Sequence, residues 1–174
     1  MQVELKANGK TVQVEMTEEQ AKILGLAEER SRTGYERVEV EETYYLVDVD
    51  DEITNMKHNG QLDRDCYDVG NYYSNKTIAE NNARADRLLR HLRQWQAQND
   101  EPISVEDWNN ESKKKWFVAY SYGAEKLYAD YYYIMRLPNT IHFATKEKAE
   151  EAIEVFRDEL IWYFVEYQQR LDEE

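Results

Sequence analysis

Apolar and polar residues alternate along Val3-Glu4-Leu5-Lys6-Ala7 and again along Thr11-Val12-Gln13-Val14-Glu15-Met16. A two-residue period marks a half-buried strand, and Asn8-Gly9 between the runs suits the positive φ angles of a tight hairpin turn. Thr17 followed by Gln20 forms a capping box that predicts a short helix, with Gly25 placed to end it near Leu24. Residues 27 to 37, rich in Glu, Arg, Ser and Gly, read as a linker, continued by a lead-in strand up to residue 43.

The strand period returns at Tyr44-Tyr45-Leu46-Val47-Asp48-Val49, turns at Asp50-Asp51 and comes back along Glu52 to Met56. An irregular stretch around Asn59-Gly60 leads to a short strand over Tyr67 to Tyr73. Ser74 or Asn75 then caps a helix from about Lys76 to Gln98, whose inward positions Ile78, Ala85, Leu88, Leu89, Leu92 and Trp95 keep three-and-four spacing. Residues 99 to 115 read as a second linker. Beyond it, Trp116 to Tyr120 pairs through Gly123 with Lys126 to Met135, and Pro138-Asn139 turns into a last short strand, Thr140 to Phe143. Thr145 caps one long final helix with Ala149, Ala152, Ile153, Phe156, Leu160 and Phe164 inward.

Tyr72-Tyr73-Ser74-Asn75-Lys76-Thr77-Ile78-Ala79-Glu80 matches His142-Phe143-Ala144-Thr145-Lys146-Glu147-Lys148-Ala149-Glu150 at an offset of 70 residues. Each segment follows an aromatic hairpin and runs into a long amphipathic helix, the signature of an internal duplication. A unit of strands and one helix has a single apolar sheet face, best buried against its twin. The expectation is an α+β fold in one compact body: antiparallel sheet, two long helices, pseudo-duplicated strand-strand-strand-helix units (44–98 and 116–170), and an N-terminal β-hairpin with a short helix.

Charge narrows the function. The 174 residues carry 22 Lys and Arg against 36 Asp and Glu, a net charge of −14, which disfavours nucleic acid and anionic membrane and favours a basic partner. Acids exceed bases by 14 to 7 in residues 1 to 60 and by 10 to 4 in residues 146 to 174, but only by 12 to 11 between them. An ordinary solvated surface accounts for such clustering equally well. Cys66, the single cysteine, rules out an internal disulfide framework and fits a reducing compartment. The first residues lack the apolar run of a signal peptide and no stretch reaches transmembrane length, so the expected location is the cytoplasm, without membrane contact.

Chemistry-bearing patterns are sparse. Asp48-Val49-Asp50-Asp51-Glu52 is dense in carboxylate, but its spacing fails the twelve-residue calcium loop and reads as a hairpin tip. His58, His91 and His142 stand apart from one another and from any Cys or Asp that would complete a metal set, and His142 reads as a partly buried structural residue. Cys66 sits among carboxylates that disfavour its thiolate. There is no glycine-rich phosphate loop, and no catalytic residue, cofactor or metal site is assigned.

Arg84, Arg87, Arg90 and Arg93 repeat every three residues along the first long helix. With Lys113-Lys114-Lys115 they are the only basis for a nucleic-acid-binding reading; the competing reading pairs them with acids of this chain or a second copy. Fourteen tyrosines include Tyr131-Tyr132-Tyr133, which puts rings on both strand faces and makes Tyr131 and Tyr133 candidate anchors of a protein interface. On the final helix, Val155, Trp162 and Val165 fall opposite the inward row at 100° per residue. Burying them calls for self-association as a homodimer, a partner, or cover by the N-terminal hairpin.

Tyr44 to Asp48, Val69 to Lys76 and Asn139 to Ala149 resemble a group of small proteins encoded by phages and prophages of Gram-positive bacteria. The resemblance spans about residues 33 to 165, with Thr17 to Leu26 similar to a leader found in some members, and the long apolar final helix departs from it. It implies an acidic accessory protein of the bacterial host's cytoplasm that blocks a host defence, in the way that DNA-mimicking proteins occupy basic clefts of nucleases such as CRISPR effectors. On that implication Glu147, Glu150, Glu151, Glu154 and Asp158, with the acids of residues 36 to 52, meet Lys and Arg of the target, and no reaction occurs. A nucleic-acid-binding accessory protein and an enzyme with an unfamiliar site are the alternatives.

Overall fold

The computed structural model describes residues 2–7, 10–15, 17, 20, 23–24 and 32–173. The chain divides into two units, Met1–Thr33 and Gly34–Glu174. In the first, strands β1 (Gln2–Ala7) and β2 (Lys10–Glu15) pair antiparallel with Val3 opposite Val14 and Leu5 opposite Val12. The Asn8-Gly9 turn and the Gly25 stop lie outside the described residues. Thr17 and Gln20 do form the reciprocal cap: the Thr17 amide donates to Gln20 Oε1 at 3.0 Å and the Gln20 amide to Thr17 Oγ1 at 3.2 Å.

The second unit carries the duplication. Its class is α+β, and its strands are antiparallel: β3 (Thr43–Val47) with β4 (Ile53–Lys57), and β5 (Lys115–Ser121) with β6 (Lys126–Tyr132). The third strand expected in each repeat is reduced to one bridge. Tyr73 pairs with Tyr45 and Phe143 with Trp116, each through two mutual backbone hydrogen bonds of 2.7–3.0 Å. Two helices follow at matching places: α2 (Lys76–Asn99), capped by Asn75 accepting from the Ile78 amide, and α4 (Lys146–Val155), capped by Thr145 accepting from the Lys148 amide. Ala79 and Ala149, the matched residues one turn in, are both fully buried, and only so small a side chain lets helix and sheet approach so closely.

Five further sequence expectations are corrected. No strand leads into the first hairpin, since residues 32–42 hold only a bend and a turn before β3. The stretch leading to Tyr73 contains helix α1 (Gln61–Asp68) in place of a strand. Asp63 nucleates it: as the third helical residue its carboxylate accepts from the amides of Asn59 (2.6 Å) and Gly60 (2.5 Å), donors that a helix start otherwise leaves orphaned. The second linker contains a one-turn helix, α3 (Val105–Asn109), capped by reciprocal Ser104–Asp107 bonds of 3.0 and 3.1 Å. Strand β6 stops at Tyr132, because the Tyr133 carbonyl turns to accept from the buried Lys115 ammonium. The final helix is not continuous: it breaks at Phe156 (φ −112°, ψ 19°), resumes as α5 (Arg157–Ile161) and ends in a π-helical turn, Trp162–Glu166, closed by Tyr167 donating to the Trp162 carbonyl at 2.9 Å.

Helix α2 serves both repeats. Its first turns pack Ile78 and Ala79 with Tyr73, Tyr35, Tyr45 and Ile53. Its later turns place Leu88 and Leu92 against Phe143, Ala149, Ala152 and Leu160, with Trp95, Trp116 and Val118 closing the sides. The residue just before the bridge partner in each hairpin, Tyr44 before Tyr45 and Lys115 before Trp116, is fully buried (0% exposed).

Candidate functional site

The arginine row is consumed within the chain. Arg84 grips Glu159 through two 2.9 Å hydrogen bonds while its guanidinium lies 4.0 Å from the Trp162 ring centroid. Arg87 and Arg90 both bind Asp51 at the tip of the first hairpin, Arg87 at 2.5 Å. These bonds hold the Asp51 and Glu159 carboxyls below the usual carboxylate range, chiefly through Arg87 and Arg84 respectively. Arg93 alone of the four makes no ion pair among the described residues.

The lysine run is divided by strand alternation and by the loop before it. Lys113 pairs with Asp107 at 2.8 Å, Lys114 lies 4.0 Å over the Tyr131 ring, and Lys115 is buried, donating to the Asn110 carbonyl at 3.0 Å. A contiguous basic sequence therefore makes no contiguous basic surface.

The acids of the last helices fare similarly. Glu150 pairs with Lys146, Glu151 with Lys148 and Glu154 with Arg157, while Glu147 and Asp158 make no ion pair among the described residues. The ridge is largely neutralised, although exposed pairs of this kind are worth about 0–1 kcal/mol each and exchange partners readily. Tyr131 and Tyr133 stand edge to face, 5.4 Å between centroids, with Tyr131 half-buried against Trp116 and Tyr133 exposed. The self-association triplet is separated. Val155 and Val165 are exposed, but Trp162 is only 8% exposed, covered by Arg84 and by Tyr167 at 5.5 Å. The break at Phe156 rotates the residues after it out of the phase a continuous helix would give, so Trp162 needs no second copy.

The surplus acidity lies instead on the first hairpin and its lead-in. Residues 39 to 52 hold seven carboxylates and no Lys or Arg, and only Asp51 among them sits in a salt bridge to Lys or Arg among the described residues. Glu39, Glu41, Glu42, Asp48, Asp50 and Glu52 are exposed, and the apolar Val40 and Val49 stand exposed among them. A mixed acidic and apolar patch of this kind is what a basic protein surface can dock on.

The duplication also yields two clefts in corresponding places, each between a hairpin, the loop before its third-strand bridge, and a long helix. The first is lined by Val47, Asp48, Asp51, Asn71, Tyr73 and Arg87, the second by Val118, Ala119, Tyr122, Ile141, Phe143 and Leu160. Asp51 and Tyr122, at matching hairpin tips 71 residues apart, both clasp a helix of their own repeat. Asp51 does so through Arg87 and Arg90, Tyr122 through its hydroxyl donating to the Phe164 carbonyl. The first cleft is charged and clasped by ion pairs; the second is apolar and aromatic.

His142 is buried beside Trp108 (5.0 Å, edge-on) and Phe117. Its Nδ1 lies 3.1 Å from the Thr140 carbonyl, which accepts a hydrogen bond from Nδ1–H and leaves Nε2 a bare acceptor without a partner among the described residues. Burial, with Arg136 nearby, lowers its pKa below the ordinary 6.5. The unfolded chain therefore binds this proton more readily, so stability is intact above about pH 6.5 and falls as pH drops from there toward the lowered native value. Urea midpoints measured between pH 7.5 and 5 should decline in the wild type and decline less in His142→Phe. Equal slopes would mean that His142 does not titrate as its burial requires.

Cys66 is half-buried on α1, and no group of three or more His, Cys, Asp or Glu among the described residues is arranged to hold a metal ion. No helix among them is long and apolar enough to cross a membrane. Sequence reasoning missed the buried ions Asp63 and Lys115. The Gly60-to-Asp63 spacing was a readable cap signal, whereas nothing local marks Lys115 as interior. Comparison with protein-family models, with curated proteins and with solved structures returned no match.

Proposed function

We propose that this protein acts by binding, not by catalysis: it docks the acidic, valine-studded first hairpin on a basic surface of another protein and denies that surface to nucleic acid. A nucleic-acid-binding defence nuclease, such as a CRISPR effector, is the partner class that the sequence resemblance nominates. One observation carries the reading. All but Arg93 of the cations that a nucleic-acid-binding alternative would need are held by groups of the same chain, Arg84, Arg87, Arg90 and Lys113 in ion pairs, Lys114 over the Tyr131 ring and Lys115 on the Asn110 carbonyl, while the carboxylates of residues 39 to 52 other than Asp51 are in no salt bridge to Lys or Arg among the described residues. Such a charge excess steers association with a basic partner and weakens with salt.

The experiment is a gel-shift titration of single- and double-stranded DNA with the purified protein at low and physiological salt. The expected result is no shifted band at either salt. A band that forms at low salt and vanishes steeply as salt rises would favour the nucleic-acid-binding alternative.

A further inference from the structure

The second repeat holds a pairing of features that the acidic-binder reading does not use. Its apolar cleft encloses about 420 Å³ between Leu88, Leu89 and Leu92 of α2, Tyr120 of β5, Ile141 and the end of the final helix. Next to it lies a hollow of about 440 Å³ lined by Arg93, Arg136 and the loop Leu137–Thr140. Pro138, Asn139 and Thr140 line both, and Leu89 and Arg93, one helical turn apart on α2, lie on one face of that helix. No carboxylate among the described residues lines either hollow.

In a chain of net charge −14, Arg93 and Arg136 are exposed and neither is in a salt bridge among the described residues. The Arg136 guanidinium is held 5.3 Å from the Trp108 ring centroid, which fixes its direction and leaves its charge unneutralised. The matching cleft of the first repeat shows the contrast, since its cations Arg87 and Arg90 are both closed off by Asp51. Duplication has thus left one cleft shut on itself and the other apolar, with two unmatched guanidiniums at its edge. The apolar volume falls in the range of small-molecule sites, roughly 300–1,000 Å³.

We propose that the second repeat binds a small amphipathic anion, with its flat apolar body in the Leu89–Tyr120–Ile141 cleft and its carboxylate, sulfonate or phosphate between Arg93 and Arg136. The site is independent of the first hairpin and of whatever protein docks there.

Two fluorescent probes of similar apolar body test it on the full chain: anionic 1-anilinonaphthalene-8-sulfonate and neutral N-phenyl-1-naphthylamine. Both should bind saturably at one site, the anion more tightly. Arg93→Gln combined with Arg136→Gln should weaken the anionic probe by about tenfold or more and leave the neutral one within about twofold. Leu89→Trp, which fills the cleft from its half-buried edge, should remove both, and Val118→Phe does the same from the sheet side should the first variant fold poorly. Absence of saturable binding, an anionic probe indifferent to the arginine substitutions, or binding of either probe that survives both filling variants would each overturn the proposal.

Discussion

Phe143→Ala should remove about 3–5 kcal/mol of stability, the range for deleting a fully buried ring. Phe143 is 1% exposed and joins the Leu88, Leu92 and Leu160 side chains to α4 through Ala149 and Ala152. It also meets Trp95 edge-on at 6.1 Å, and its backbone forms the bridge to Trp116 that ties the third segment of the repeat to β5. Its cluster partners Leu88, Leu92, Ala149 and Ala152 are held on two helices, so the void left by the ring would close only in part. Against a total of about 5–15 kcal/mol, such a loss would lower the melting temperature by about 10 °C. Calorimetry of the variant checks it. A fall of only a few degrees would mean that the second repeat does not pack around this ring.

Asp63→Ala should be the most damaging single change at a carboxylate. Asp63 is 2% exposed and accepts from the Tyr44 hydroxyl at 2.9 Å as well as from two backbone amides, so its removal deprives three donors of their acceptor, the buried Tyr44 hydroxyl among them. Helix α1 loses its cap, and the Tyr44 ring, stacked 4.2 Å from Tyr72, loses the bond that orients it. Asp63→Asn should be much milder, since the amide oxygen can keep the backbone donors while its NH2 group donates to the Tyr44 oxygen.

The native carboxyl is held below the ordinary 3.8, first by the Gly60 amide and then by Tyr44 and Asn59. With a depressed native pKa the contribution is complete above about pH 4 and is lost as pH falls through the lowered value. Circular dichroism during acid titration should show Asp63→Asn lacking part of the wild-type transition below pH 4. An alanine variant as stable as wild type would contradict the role assigned to this carboxylate.

How far the sequence could be read depends on how local each determinant is. Both capped helix starts, at Asn75 and Thr145, were legible because an N-cap is a three-residue event, and the hairpins were legible from alternation and turn residues. The duplication was legible too, and the Tyr45–Tyr73 and Trp116–Phe143 bridges repeat it atom for atom.

What failed was non-local. The strand expected before Tyr73 was drawn from apolar residues that in fact flank Gly70, whose positive φ of 76° turns the chain after α1. The exposed Trp162 followed from assuming one unbroken helix, and a break at Phe156 has no proline or glycine to announce it. That the arginine row pairs with acids of the chain was one of the readings the sequence offered, but not which acids, because Asp51 and Glu159 lie 36 to 75 residues away in sequence. For the same reason the two clefts appear in the sequence only as repeated strand-to-helix junctions, with no hint that one is clasped and the other open.

Displacement of nucleic acid from a basic partner by the unmatched carboxylates of the first hairpin is the proposed action. Its most direct measurement is the amount of labelled target DNA retained by a purified CRISPR effector nuclease as this protein is added, in parallel with a variant carrying Glu39→Lys, Glu41→Lys, Asp50→Lys and Glu52→Lys. The wild type should release the DNA in a saturable, salt-weakened manner, and the reversed variant, folded equally well, should not. Release of the DNA to the same extent by both proteins would contradict it, as would complete retention by a panel of such nucleases in the presence of the wild type.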